Sequence, residues 1–198
     1  MTSDEALVLL KEGNIRFSDG KLTNPNQDSA RRTSTAEHGQ QPFASVLSCA
    51  DSRVPLELVF DRGIGNIFGG RVAGNVAGTD QLGSIEFGVE HFGIPLVVVL
   101  GHTECGAVAA VVKRGPVHGN LGSIVKKIVP AVEQTRKLFP NLPVDQLVDK
   151  CAIANVRQVI RDLTTDSDPI KKAVEHGGLK IVGGYHDIRS RLVNWLKD

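Results

Sequence analysis

Two short polar segments, Cys49–Arg53 (CADSR) and His102–Cys105 (HTEC), each follow directly on a run of apolar β-forming residues. The runs, Phe43–Ser48 (FASVLS) and Pro95–Gly101 (PLVVVLG), lack the alternation of a half-exposed strand and therefore predict fully buried strands. Both polar segments then begin at strand carboxyl ends, the edge where functional crevices form in open parallel sheets. We therefore expect the cysteine of the first segment to face the histidine and cysteine of the second across neighbouring strands.

The rest of the chain alternates predicted strands with predicted helices, which indicates βαβ units. The fold class is therefore α/β, with a central, mostly parallel sheet flanked by helices. In chain order we predict helices at 4–18 and around 29–38, strand 43–48, helix 55–60, strand 66–72, helix 80–92, strand 95–101, helix 106–113, helices near 121–138 and 144–163, and a last strand at 179–184. The helix at 80–92 should have Thr79 or Asp80 as its cap and end at Gly93.

The first predicted helix is amphipathic and begins with a capping box formed by Thr2 and Glu5. The residues that keep helical spacing on one face are Leu7, Leu10, Asn14 and Phe17. Left alone, this face would be an exposed apolar stripe. We therefore expect the N-terminal helical arm, residues 1–40, to pack on a partner subunit.

Length and composition indicate a single domain over residues 1–198, made of that arm and an α/β core with C-terminal helices over 41–198. The chain is 41% hydrophobic with a formal net charge of +1 and has no basic run, which argues against nucleic acid as a partner. No apolar stretch reaches the length of a membrane span, and no signal peptide is visible. Three cysteines are too few for a disulfide scaffold and indicate a reducing, cytoplasmic location, unless a signal peptide has been removed.

Cysteine and histidine are ligands that zinc prefers, and Cys49, His102 and Cys105 would fill three of its four tetrahedral positions. A site with three protein ligands leaves one position for water, which is typical of catalytic zinc. Asp51 leaves two alternatives open. Its carboxylate either closes the site as a fourth ligand, or pairs with Arg53 and stays beside the open position as a hydrogen-bond acceptor.

Four segments together resemble the β-class carbonic anhydrases: CADSRVP (Cys49–Pro55), RVAGN (Arg71–Asn75), SIEFGVEHFGIP (Ser84–Pro95) and GHTECGAV (Gly101–Val108). The resemblance runs from about Leu7 to the last predicted strand. It implies a zinc lyase that interconverts carbon dioxide and bicarbonate on an α/β fold. It also implies an obligate homodimer, which in many members pairs into a tetramer.

The resemblance further implies roles for individual residues. Zinc would be bound by Cys49, His102 and Cys105, and Asp51 with Arg53 would form the catalytic dyad. The substrate pocket, completed across the dimer interface, would be lined by Gln40, Phe68, Phe87 and Gly106.

Four positions depart from the family pattern. Members that are gated by bicarbonate tend to carry tryptophan where this chain has Val46, which favours the open form of the site. Phe87 stands where plant-like members carry a pocket tyrosine, so one hydroxyl is missing. Gly69-Gly70 replaces a branched pair, and the sequence offers no explanation for either glycine.

Two other classes of function remain open at this point. A hydrolase acting on carbonyl sulfide or carbon disulfide would use the same zinc chemistry. A non-catalytic zinc protein would keep a closed metal site, although the Asp51–Arg53 pair argues against it. Cys151 is interpreted as a buried apolar residue.

Overall fold

The computed structural model describes residues 1–197, which fold around one five-stranded sheet of order β2-β1-β3-β4-β5. Its strands are β1 (Ala44–Ser48), β2 (Ile67–Arg71), β3 (Leu96–His102), β4 (Lys180–His186) and β5 (Val193–Trp195). The first four strands pair in parallel, and β5 pairs with β4 in the antiparallel direction. The predicted α/β class with a mostly parallel sheet is confirmed.

Eight helices accompany the sheet in the described part of the chain. They are α1 (Ser3–Ser18), α2 (Ser29–His38), α3 (Leu56–Val59), α4 (Thr79–Phe92), α5 (Gly106–Val112), α6 (Leu121–Leu138), α7 (Val144–Thr165) and α8 (Asp168–Glu175), with a short 3₁₀ turn at Ala73–Asn75. None of the helices within residues 1–197 is long and apolar enough to cross a membrane.

The two central strands are buried on both faces, as their continuous apolar sequence predicts. Successive side chains of a strand point to opposite faces of the sheet, so each of these strands contributes side chains to two cores. One core joins Val46, Val98 and Leu100 to apolar residues of α1 and α3. The other joins Leu47, Val97 and Val99 to apolar residues of α4, α7 and α8.

Several element boundaries differ from the predictions. Strand β3 continues to His102, one residue beyond the predicted end. The cap of α4 is Gly78, not Thr79 or Asp80, because Gly78 takes the extended conformation and the side chain of Gln81 accepts its N–H at 3.2 Å. Gly93 ends α4 in the left-handed conformation, as predicted.

Two elements of the fold were not predicted: helix α8, which precedes β4, and strand β5, which follows β4 and forms one edge of the sheet. Strand β5 has three residues, too few for an alternating pattern to be visible in the sequence. Helix α8 does carry a local signal, because Ser167 caps it and Pro169 stands in its first turn.

The apolar face of α1 is covered by its own chain, which corrects the reason given for a partner subunit. Leu10 is fully buried in the same core as α3 and β3, and Phe17 packs against that core. Asn14 fixes the helix there, since its amide donates to the carbonyls of Val59 and Arg191 and accepts the N–H of Val193 at 2.8 Å. The predicted capping box at Thr2 is present.

One of the two unexplained glycines has a packing reason. A Cβ on Gly69 would lie 3.2 Å from a methyl carbon of Leu56, tighter than an ordinary contact, so α3 approaches β2 closely there. A Cβ on Gly70 would meet Leu47 at an ordinary 3.7 Å, and nothing in the structure explains that glycine.

Asp61 ties the N-terminal arm to the α/β core. Its buried carboxylate accepts hydrogen bonds from Arg16 Nε at 2.5 Å, from Thr23 Oγ1 at 2.7 Å and from the N–H of Asn24 at 2.9 Å. Burial raises the pKa of Asp61, but the hydrogen bonds from Arg16 and Thr23 outweigh it and lower the pKa to about 2. The interaction therefore favours the ionised, folded form.

Replacing Asp61 with asparagine should lower the free energy of unfolding by about 2 kcal/mol at pH 7, the cost of losing a charged hydrogen-bond acceptor. Asparagine tolerates the positive φ of this position, so the backbone should be unchanged. Because the folded-state pKa is depressed, the contribution is complete above the unfolded pKa of about 4 and declines as pH falls toward 2. Urea unfolding at pH 7 and pH 3 should show the difference from wild type shrinking.

The control is Asp19→Asn, which removes an exposed carboxylate 3.7 Å from Lys21 and should change stability by less than about 0.5 kcal/mol. Equal unfolding free energies for Asp61→Asn and Asp19→Asn at pH 7 would contradict the role given to Asp61.

Candidate metal centre

The two polar segments leave the sheet side by side at its carboxyl edge. Strand β1 ends at Ser48 and lies directly beside β3, with Ser48 opposite Leu100. Cys49 follows β1 at once, and His102 is the last residue of β3. The expected juxtaposition of Cys49 with His102 and Cys105 across neighbouring strands is confirmed.

The ligand atoms of Cys49, His102 and Cys105 all lie within 4.8 Å of one another, and the three side chains are buried. The two sulfur atoms are 4.0 Å apart. That separation is far beyond a disulfide bond, and it is close to the roughly 3.8 Å that two sulfurs at about 2.3 Å from a tetrahedral zinc would show. The donor set therefore fits zinc in type, number and spacing.

The orientation of the His102 ring leaves one nitrogen for a metal. Its Nδ1 lies 2.8 Å from the carbonyl oxygen of Thr103, and because a carbonyl can only accept, Nδ1 carries the proton. The other nitrogen, Nε2, is buried and has no hydrogen-bond partner within residues 1–197. A backbone carbonyl that fixes the tautomer of a ligating histidine is a common feature of metal sites.

The two sulfurs hold their protons unequally. The hydrogen bond from Cys105 lowers the pKa of Cys49, and the same contact together with burial raises the pKa of Cys105. Thiolates bind metal ions and thiols do not, so a dication at this position would deprotonate the second sulfur as well.

The loop after β1 is held from two sides. Arg71, at the end of β2, donates from Nε to the carbonyl of Cys49 at 3.2 Å and from Nη2 to the carbonyl of Asp51 at 2.5 Å. The N–H of Gly74, in the 3₁₀ turn, donates to Cys49 Sγ at 3.3 Å. On the other segment, Cys105 caps α5 and Gly106 begins it, with open space around the glycine.

Asp51 pairs with Arg53 in the second of the two arrangements left open by the sequence. Arg53 donates from Nε to Oδ1 at 2.9 Å and from Nη2 to Oδ2 at 2.8 Å, and its own N–H donates to Oδ1 at 2.9 Å. These hydrogen bonds hold the pKa of Asp51 well below its usual range. The carboxylate is thus ionised, and it lies outside the ligand cluster found among the described residues.

Glu104 and Arg189 extend this ion pair and were missed by sequence reasoning. Arg53 reaches the Glu104 carboxylate at 3.5 Å, and Arg189 donates to the same carboxylate from Nε at 3.0 Å. Arg189 lies in the loop after β4, and β4 runs parallel to β3 as its neighbour. The sequence contained one usable signal, since any loop that follows a parallel strand reaches the same edge.

The remaining predicted pocket residues lie away from the ligands within one chain. Phe68 is opposite Ser45, four positions before Cys49, which is about 13 Å along the strand. Its ring lies 6.2 Å from that of Phe87, which is 47% exposed, and Gln40 is exposed before β1 begins. A single chain therefore brings Gly106 to the ligands but not Gln40, Phe68 or Phe87.

Comparisons with known proteins identify relatives of this chain. The family model described as carbonic anhydrase matches residues 44–193. The chain is 38% identical over 180 residues to carbonic anhydrase 2 of Mycobacterium tuberculosis, which covers 88% of this chain and 83% of that protein. The β-carbonic anhydrase CafA of Aspergillus fumigatus superposes with a TM-score of 0.79 at 27% identity, over 98% of this chain and 90% of that one. A tetrameric β-carbonic anhydrase of Sordaria macrospora shares the fold, with a TM-score of 0.79 at 20% identity over 98% of both chains.

The purified protein should contain about one zinc per chain, and Cys105→Ala should lose most of it because two protein ligands hold the ion much more weakly than three. Atomic absorption after dialysis measures the metal directly. The matched control is Cys151→Ser, which alters a fully buried cysteine outside the ligand cluster and should keep its zinc. An unaltered zinc content in Cys105→Ala would refute the ligand assignment.

Proposed function

The chain belongs to the β-carbonic anhydrase family, and on this premise we propose that it catalyses the zinc-dependent, reversible hydration of carbon dioxide to bicarbonate and a proton. Family membership makes the protein a carbonic anhydrase, which is a lyase. The observation that carries the zinc-dependent mechanism is the buried Cys49–His102–Cys105 cluster with the ionised Asp51–Arg53 pair beside it.

Cys49 Sγ, His102 Nε2 and Cys105 Sγ would hold the zinc. When bound, zinc at such a site supplies Lewis acidity that makes a water-derived nucleophile available at neutral pH. The chain's own contribution is to position that nucleophile. Asp51 is an acceptor only, so it takes the hydrogen bond of the nucleophile's O–H and leaves a lone pair directed at the carbon of carbon dioxide.

Arg53 fixes the acceptor. Its two parallel hydrogen bonds set the plane of the Asp51 carboxylate, and the contact with Glu104 limits the motion of the guanidinium. Arg53 thereby keeps Asp51 turned away from the sulfurs and prevents it from becoming a fourth ligand. Asp51 and Arg53 are the catalytic pair of this proposal.

A partner subunit would complete the substrate pocket. Gly106 lies next to a ligand, whereas Gln40, Phe68 and Phe87 belong to a surface of the chain away from its own ligands. In a homodimer these three residues would reach the site of the other subunit and provide an apolar wall for carbon dioxide. The Sordaria macrospora relatives are tetrameric, and we propose a homodimer or a tetramer built from two dimers for this chain.

The other parts of the proposal rest on the sequence. We propose one domain over residues 1–198 with the arm at 1–40, and a cytoplasmic location supported by three cysteines that are all free. Bicarbonate and carbon dioxide are the small-molecule partners, and neither nucleic acid nor a membrane is expected as a partner. Hydrolysis of carbonyl sulfide or carbon disulfide is the second candidate activity. A sulfide-release assay, run beside the carbon dioxide assay, distinguishes the two activities.

Asp51→Asn should keep its zinc and lose carbon dioxide hydration by about 100-fold or more, because an amide can also donate and would misdirect the nucleophile. Stopped-flow hydration with a pH indicator measures the rate, and atomic absorption measures the metal. Asp166→Asn, an exposed carboxylate at the end of α7, is the control and should match wild type. A wild-type rate in Asp51→Asn between pH 6 and pH 9 would remove the orienting role.

The protein should sediment as a dimer or larger, and Phe87→Asp should shift it toward monomer because a charge would be placed in the proposed interface. Phe87 is 47% exposed in the chain, so its replacement should leave the fold and the zinc content intact. Leu138→Asp is the control, since Leu138 is 66% exposed at the end of α6. Sedimentation showing a fully active wild-type monomer would contradict both the assembly and the pocket roles.

A further inference from the structure

Asn155 is a fully buried asparagine in the middle of α7, a helix that otherwise presents apolar residues to the core. Its Nδ2 donates to the carbonyl of Gly74 at 2.8 Å, whereas its Oδ1 has no partner within residues 1–197. Burying an amide costs free energy unless its polar atoms are hydrogen-bonded, and here only the donor is. The one hydrogen bond that Asn155 makes therefore acts on Gly74.

Gly74 lies between α6, α7 and the ligand Cys49. Its N–H donates to Cys49 Sγ at 3.3 Å, and its carbonyl accepts from Asn155. The residue has φ +71°, and a Cβ here would lie 2.7 Å from Ile128 Cδ1, so neither the backbone nor the space suits a larger residue. The turn therefore needs glycine at position 74. Because glycine is conformationally free, other contacts must fix the direction of its N–H.

The 3₁₀ turn is held by hydrogen bonds on both sides of Gly74. Before it, the N–H of Val72 donates to the carbonyl of Ser48 at 3.0 Å, which ties the turn to the end of β1. After it, Asn155 holds the carbonyl of Gly74. With both ends fixed, rotation about the Gly74 backbone is restricted and its N–H stays on the sulfur.

We propose that Asn155 is a positioning residue of the metal centre, which holds Gly74 so that its N–H stabilises the Cys49 thiolate as a zinc ligand. The inference rests on the zinc site of the proposed function and adds a residue to it. Hydrogen bonds to ligating groups tune both metal affinity and ligand basicity, and their loss costs about 10- to 100-fold in affinity. Asn155 acts through Gly74 and does not touch the ligand itself.

The test variant is Asn155→Leu, which has nearly the shape of asparagine, removes the donor, and also removes the unpartnered Oδ1. Zinc affinity is measured by competition with a chromophoric chelator and should weaken about tenfold or more. In the cobalt-substituted protein, the sulfur-to-cobalt charge-transfer band should move to longer wavelength. The reason is that an N–H donor lowers the energy of the sulfur lone pairs, and its loss raises them.

The control is Val159→Ala, which makes a cavity one turn further along α7 in the core away from Gly74. It should lower the free energy of unfolding while leaving the cobalt band and the zinc affinity at wild-type values. Asn155→Ser has a smaller side chain that is also too short to reach Gly74, and it should show the same band shift. This second variant keeps the proposal testable if leucine packs poorly at position 155.

An unchanged band and affinity in folded Asn155→Leu or Asn155→Ser would overturn the inference, and so would an equal band shift in Val159→Ala. Neither readout uses carbon dioxide. Failure of the proposed function is a separate result, namely a wild-type protein with bound zinc and no hydration activity.

Discussion

The parallel pairing of β1 with β3 is the interaction on which the rest of the structure depends. It places Ser48 opposite Leu100, so two segments far apart in sequence leave the sheet side by side. A parallel pair needs a long crossover between its strands, and this crossover contains β2, the 3₁₀ turn and α4. Because both strands are buried on both faces, their side chains join two cores and fix the register that aligns Cys49 with His102.

At the candidate metal centre, hydrogen-bond partners offset the free-energy cost of burying polar groups. Thr103 supplies a carbonyl to His102 Nδ1, Gly74 supplies an N–H to Cys49 Sγ, and Arg53 supplies a bidentate pair to Asp51. Each contact removes the cost of burying or ordering one group. His102 Nε2 is the exception among the cluster's atoms, as it is buried without a partner in the described residues. Beside two cysteine sulfurs, this unpartnered nitrogen is the ring atom that is available to a metal ion.

The proposed site residues are distributed over the chain in a way that suits a site shared between two subunits. Ligands and the Asp51–Arg53 pair lie at the carboxyl edge of the sheet, whereas Phe68 and Phe87 form an aromatic surface with Phe92 toward the other end of β2. Cys49 and Cys105 pack against apolar residues of their own chain, among them Val76 and Val108, but the aromatic surface lies away from them. In the proposed dimer, the interface would determine access to the site as well as assembly.

Local signals in the sequence were enough to predict the buried strands, most of the helices and the Cys49–His102–Cys105 cluster. Apolar runs, capping residues and ligand spacing each lie within a short segment of the chain, so they can be recognised without the fold. The cap of α4 is Gly78 and not the predicted Thr79 or Asp80, since extended backbone at Gly78 and the Gln81 side chain decide it together. Tertiary structure alone decided which surface covers Leu10 and where β5 joins the sheet, and it selected the pairing of Asp51 with Arg53 from the two arrangements that the sequence left open. It also decided the contacts of Glu104 with Arg189 and of Asn155 with Gly74. These contacts join residues distant in sequence, and their geometry depends on how whole elements pack, which no local pattern records.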